Sequence, residues 1–163
     1  MSKIGAVLVR VGVGIAIAIA VVLAVLAVLA RIVKRPANLG VRDGKLAPCP
    51  NSPNCVSTQS EDPRHRIAPI PLTMPLAEAK ATLLRVIRSM PRTTIVTDDP
   101  TYLLVEFYIP GLGYIDDVEF YLDGDARVIH FRSSSRLPYW DWNVNRNRME
   151  EIRAAFEEEN ERS

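Results

Sequence analysis

Beyond residue 45 the chain has one lysine, Lys80, and over its whole length it has two histidines and two cysteines. Each scarcity excludes something. An acidic main body without a basic stripe gives no electrostatic footprint for nucleic acid. A zinc site built on Cys49 and Cys55 needs two more ligands, and His65 and His130 are the only histidines, at irregular spacing. The eight glycines form neither a phosphate-cradling loop nor a Gly-x-Ser-x-Gly nucleophile elbow. No residue constellation names a reaction, and none calls for a cofactor or a metal.

What the chain does have is a run of twenty apolar residues, Val11 to Ala30, without a polar side chain. At about 1.5 Å of rise per residue this run spans the roughly 30 Å hydrocarbon core of a bilayer. Arg10 closes one end, and Arg31, Lys34 and Arg35 close the other. The run reads as an uncleaved anchor, with the lipid bilayer as its partner. Val28-Leu29-Ala30 offers the small residues of a cleavage site, but secretory apolar cores are typically about 7–15 residues. Gly12, Ala16, Ala20 and Ala24 recur every fourth residue, the spacing through which two helices form a close homodimer; the commonness of Ala and Gly in membrane helices explains it equally. Up to Lys45 there are seven basic residues against Asp43 alone; from Leu46 onward there are 13 basic and 18 acidic. A basic collar beside an apolar helix suits anionic headgroups.

Topology signals conflict. The basic residues after the run outnumber those before it, which favours a cytoplasmic domain. The cysteines argue the other way. Cys49 and Cys55 flank Pro50-Asn51-Ser52-Pro53-Asn54, a stiff turn-forming stretch that brings two sulfurs together. A structural disulfide fits an oxidising compartment. Two free thiols, a redox pair and a metal site are the alternatives, the redox pair being more usual as Cys-x-x-Cys. The expectation is a single-pass protein of the inner or plasma membrane with its domain extracytoplasmic.

Three regions follow: the anchor with its basic flanks (1–35), a Pro- and Asn-rich juxtamembrane segment (36–72) and an α+β domain (73–163). In the second, Ile67–Leu72 reads as a short edge strand. In the third, Leu76, Ala79, Leu83, Val86, Ile87 and Met90 share one face of a helix from Pro75 to Met90. Thr93–Thr97 and Tyr102–Ile109 make one strand pair, and Ile115–Leu122 and Arg127–Ser134 a second. A helix from Asn145 to about Glu159 buries Met149, Ile152, Ala155 and Phe156. The predicted architecture is a transmembrane helix followed by a two-layer α+β fold, an antiparallel sheet of four to five strands with two helices on one face.

A turn at Asp123–Ala126 sets the second hairpin's register: Phe120 opposite Ile129 and Val118 opposite Phe131 on the core face, Glu119 opposite His130 and Asp117 opposite Arg132 on the other. The latter four are the candidate site, with Arg136, Asp141, Asn145, Arg146 and Arg148 downstream. One reading is a pocket in which Arg132 and Arg136 hold an anion while Glu119 and His130 exchange a proton. The other is a solvated face of cross-strand pairs. Ser133-Ser134-Ser135 reads as a strand end rather than a nucleophile. Asp116, Asp117 and Glu119 lack calcium-loop spacing. Trp140 and Trp142 suit either an aromatic rim or a core plug.

Leu39-Gly40-Val41, Lys45 through Pro50 and Ser52 through Ser57 resemble the opening of the uncharacterised domain-of-unknown-function family 1499. Asp116 through Phe120, Arg132-Ser133, Ser135-Arg136, Asp141 and Val144-Asn145-Arg146 through Arg148 are similar to its second half, so the resemblance covers about residues 39–156. It implies no activity, but it groups the Cys loop, the acidic strand, the Arg-Ser end and the Asn-Arg helix start into one site. Pro138 and Asn143 stand where the family usually has glycine. Asn tolerates a left-handed backbone and Pro does not.

The resulting expectation is a membrane-anchored binding or assembly module whose groove is lined by Asp117, Glu119, Arg132, Arg136, Asp141, Asn145 and Arg148. The rival expectation is a hydrolase or lyase using Glu119 and His130 as acid and base.

Overall fold

The computed structural model describes residues 3–110, 113–137 and 141–162; Pro138 and Trp140 lie outside them, as do the side chains of Lys3 and Arg31. Helix α1 runs Lys3–Ile32. Its stretch Val7–Leu26 has a mean hydropathy of 2.7 and no protein packed over it, so it is long and apolar enough to cross a membrane, a property signal sequences share. The stripe of Gly12, Ala16, Ala20 and Ala24 is uncovered in the single chain.

The remainder is α+β. Strands β1 (Cys55–Ser57) and β2 (Ile70–Pro71) precede helix α2 (Leu76–Ser89), then come β3 (Thr93–Asp98), β4 (Tyr102–Tyr108), β5 (Ile115–Asp123) and β6 (Val128–Ser135), and α3 (Val144–Glu161) ends the order. The six strands form one antiparallel sheet in the order β1-β6-β5-β4-β3, with β2 in line with β1 on the outer edge of β6. The sheet thus has one or two strands more than expected. Residues 36–72 are built into it: β2 lies within the edge strand expected at Ile67–Leu72, and β1 is the strand the sequence did not announce.

Alternation sorts the strands into two faces. Leu103, Val105, Phe107, Val118, Phe120, Leu122, Ile129 and Phe131 share one buried cluster with Ala79, Leu83, Val86 and Ile87 of α2 and Met149, Ile152 and Phe156 of α3. Pro75 precedes α2 and the chain leaves the helix at Met90, just before Pro91. Lys80 is buried against the β3–β4 turn, its Nζ 2.8 Å from Asp98 and donating to the carbonyls of Asp99 and Tyr102. The bulge between Ile95 and Thr97 interrupts the outer strand, which blunts that edge against further pairing.

The β5–β6 register differs from expectation. Asp123 Oδ1 accepts from the amides of Asp125 and Ala126, and Arg127 takes a left-handed φ of 55°. The loop is therefore residues 124–127, and Asp123 pairs with Val128. Partners move by two residues along β6, which preserves every face but changes who meets whom: Phe120 opposes Phe131, Glu119 opposes Arg132, and His130 opposes Tyr121.

On the face away from the helices lies a strap, residues 33–50, running from β4 across β5 to the β1 edge. Arg35 contacts Glu106 of β4, Gly40 contacts Glu119 of β5, and Cys49 is joined to Cys55 of β1. Its middle is a two-residue hairpin: Arg42 and Lys45 exchange both backbone hydrogen bonds around Asp43 and Gly44, at φ 52° and 72°.

Candidate functional site

The residues expected to share one groove lie on two faces of the sheet. Asp117, Glu119, Arg132 and Arg136 sit beneath the strap. Asn145 and Arg148 sit among the helices with Asp116 and Ser133, and Asp141 lies at the start of α3. Because Asp116 and Asp117 are neighbours in a strand, they point to opposite faces, so Asp116, Asp117 and Glu119 do not surround one ion.

Under the strap, Glu119 is fully buried. Its Oε1 accepts from the Gly40 amide at 2.7 Å and from the Tyr102 hydroxyl at 2.8 Å, and Oε2 lies 3.4 Å from Arg132 Nη1. Gly40 reaches it at a φ of 112°, a backbone that favours glycine. Burial pushes the Glu119 carboxyl above its ordinary range, and the Gly40 amide, Arg132 and Tyr102 only partly offset this. Burial likewise lowers Arg132, whose Nε has no partner among the described residues. Burial and the adjoining Glu119 carboxylate raise the Tyr102 hydroxyl, keeping it protonated as a donor.

Two rungs along, Arg136 makes a two-point contact with Asp117, Nε to Oδ2 at 2.8 Å and Nη2 to Oδ1 at 2.6 Å, and Nη2 also reaches Glu106. Hydrogen bonding to Asp117, then to Glu106, outweighs burial and raises Arg136. Glu106 also receives Arg35 at 2.6 Å and the Tyr108 hydroxyl at 3.1 Å. Burial opposes ionisation of Glu106, yet the hydrogen bonds from Arg35 and Arg136 hold its carboxyl below the ordinary value.

On the helix face, Asn145 donates to Asp141, Ser135 and the carbonyl of Asn54, and accepts from Ser133 and Arg148. Arg148 donates to Ser133 and, at 2.6 Å, to Asp116, with its guanidinium 4.6 Å from the centre of the Phe107 ring. Asp141 accepts from the amides of Asn143 and Asn145, which fixes the entry into α3. Asn143 has the left-handed backbone expected of it, φ 63°. These groups tie α3 and the Cys55 strand to β6. Ser133 is fully buried inside this network.

Glu119 and His130 are not a pair. His130 meets Thr58 Oγ1 at 3.0 Å and stacks on Tyr121 at 6.2 Å, and burial lowers its pKa. The other histidine is better placed. His65 is buried, its Nδ1 2.8 Å from the Cys55 carbonyl, so that nitrogen carries the proton and Nε2 is left 4.0 Å from Asp62.

Residues Gly40, Arg42, Lys45, Ser57, Gln59, Glu61, Asp62 and His65 line a cleft of about 540 Å³ between the strap and the 57–65 loop. Gln59 clamps the strap, accepting from the Leu46 amide and donating to the Gly44 carbonyl, both at 2.8 Å. Arg42 and Lys45, exposed on the strap, make no ion pair among the described residues. Sequence reasoning missed this cleft, as well as the roles of Arg35, Gly40 and Glu106. The Asp43-Gly44 hairpin signal was its one local clue.

An apolar N-terminal helix, a strap clipped by one disulfide and an α+β sheet with internally paired charges define the class. The chain belongs to the family described as Protein of unknown function (DUF1499), matched over residues 45–156, which leaves Arg35 and Gly40 outside the match. No curated protein and no solved structure matches it.

Proposed function

We propose that this chain is a membrane-anchored binding module with its domain on the extracytoplasmic side, and that the strap cleft takes a polar ligand bearing an anionic group. One contrast carries the reading. The charges of the sheet face are covered and paired with one another, whereas Arg42 and Lys45 make no ion pair among the described residues on a cleft wall that also carries Glu61 and, engaged by Arg64, Asp62. Around them Ser57, Gln59 and His65 supply hydrogen-bonding groups, and a volume of about 540 Å³ suits a small ligand or a chain end. The Cys49–Cys55 disulfide favours an oxidising compartment. The groove is thus moved from the sheet face to the strap above it.

The test is thermal unfolding of the full chain in detergent micelles with inorganic phosphate, glutamate and an acidic tripeptide as probes. A ligand at about one hundred times its Kd adds about 2.7 kcal/mol, a shift of roughly 10 °C for a domain of this size. At least one probe should raise the transition, and Arg42→Ala with Lys45→Ala should abolish that rise without moving the unliganded transition, because both side chains are exposed. A rise that survives the double substitution, or none with any probe, contradicts the proposal.

A further inference from the structure

Outside α1, three large apolar side chains are exposed among the described residues: Tyr108 at 38 %, Trp142 at 83 % and Val144 at 39 %. All three lie at one end of the sheet. Tyr108 closes β4, Val144 opens α3, and both border a groove of about 480 Å³ with Pro91, Phe107, Ile109 and Pro110. Trp142 precedes Val144 by two residues and is held at a left-handed φ of 48°, followed by Asn143 at 63°. A bulky residue in that region is unusual. Here the turn is pinned by Asp141, which accepts from the Asn143 amide at 3.1 Å.

The same end is tied to α1. Arg35, three residues beyond the last residue of the helix, contacts Glu106, and Glu106 holds the Tyr108 hydroxyl. Three residues reach at most about 10 Å. The helix exit therefore lies beside the end of the sheet that carries the exposed tyrosine, tryptophan and valine. Amphipathic rings beside the exit of an apolar helix match the aromatic belt of membrane proteins, in which an apolar body meets the acyl boundary and a polar edge meets the headgroups.

We infer that Tyr108, Trp142 and Val144 form a second membrane contact, seated in the headgroup layer of the bilayer that holds α1. This rests on the anchor reading above. The contact would orient the domain as well as tether it, since a helix alone leaves the domain free to rotate about residues 33–34.

The test uses the full chain in lipid nanodiscs containing lipids brominated near the glycerol end of the acyl chain. Trp140→Phe leaves Trp142 as the chain's one tryptophan, so the fluorescence of that variant reports on Trp142 alone. The expected result is at least twofold quenching of this emission by the bromolipids relative to unbrominated nanodiscs, with Trp142 protected from aqueous iodide. No bromolipid quenching, or full iodide access to Trp142, overturns the contact. Flotation with the nanodiscs separates the two readings: a chain that does not float sinks both, and a floating chain with Trp142 in water sinks this one alone.

Discussion

Arg132→Met is the sharpest test of the covered charge network. The side chain is 5 % exposed and faces a Glu119 that is 0 % exposed. Removing the guanidinium leaves the carboxylate with the Gly40 amide and the Tyr102 hydroxyl but no cation. Breaking a buried ion pair from one side costs about 3–5 kcal/mol, or roughly 10–20 °C in the transition of a domain this size. Because the pair is met at 3.4 Å rather than at close contact, the lower half of that range is expected. The loss should depend on pH. The folded-state pKa of Glu119 is already raised, so between the ordinary carboxyl value and the raised one the native chain binds the proton more tightly than the unfolded chain, and stability falls as pH rises through that window. Without Arg132 the window widens upward. The variant should therefore be most damaged near pH 7 and should recover towards wild type as the pH drops towards 5. Adding Glu119→Gln should recover most of the loss at pH 7, because no uncompensated charge remains. Thermal unfolding followed by near-ultraviolet circular dichroism reads all three chains. An Arg132→Met chain within about 1 kcal/mol of wild type across this range would refute the reasoning and return Arg132 to the candidate ligand groups.

Two further outcomes follow from the strap. Replacing Cys49 and Cys55 by serine should lower stability by about 2 kcal/mol on the chain-entropy model for so short a loop, and reduction of the wild type should give the same shift in differential scanning calorimetry. Gly40→Ala meets no steric neighbour, yet it places a side chain at φ 112°; a loss of about 1–2 kcal/mol, accompanied by faster amide exchange at residue 40, should result.

Much of the architecture is written in the sequence periodicities. The helical face of Leu83, Val86 and Ile87 and the strand alternation of Val118, Phe120 and Leu122 recur in the core as expected. The register was not legible to the same degree. The turn between β5 and β6 depends on one side chain, Asp123, folding back on the two amides beyond it, and this moves the loop by one residue at each end. The three-residue strand β1 is too short to show a period, and its pairing is set by the partner β6, whereas β2 falls inside the edge strand expected at Ile67–Leu72. The divided site has a different origin. Alternation already separates Asp116 from Asp117, but only the docking of α3 shows that Arg148 and Asn145 join Asp116, while Arg136 joins Asp117. Arg35 and Glu106 lie 71 residues apart, and no local pattern links them.

The most direct measurement is thiol alkylation followed by mass spectrometry on the full chain taken from intact membranes, with and without prior reduction. A strapped domain on the oxidising side of its membrane predicts that Cys49 and Cys55 both take label only after reduction. Immediate labelling of both would mean an unclipped strap in a reducing compartment, and would contradict the extracytoplasmic binding module proposed for this chain.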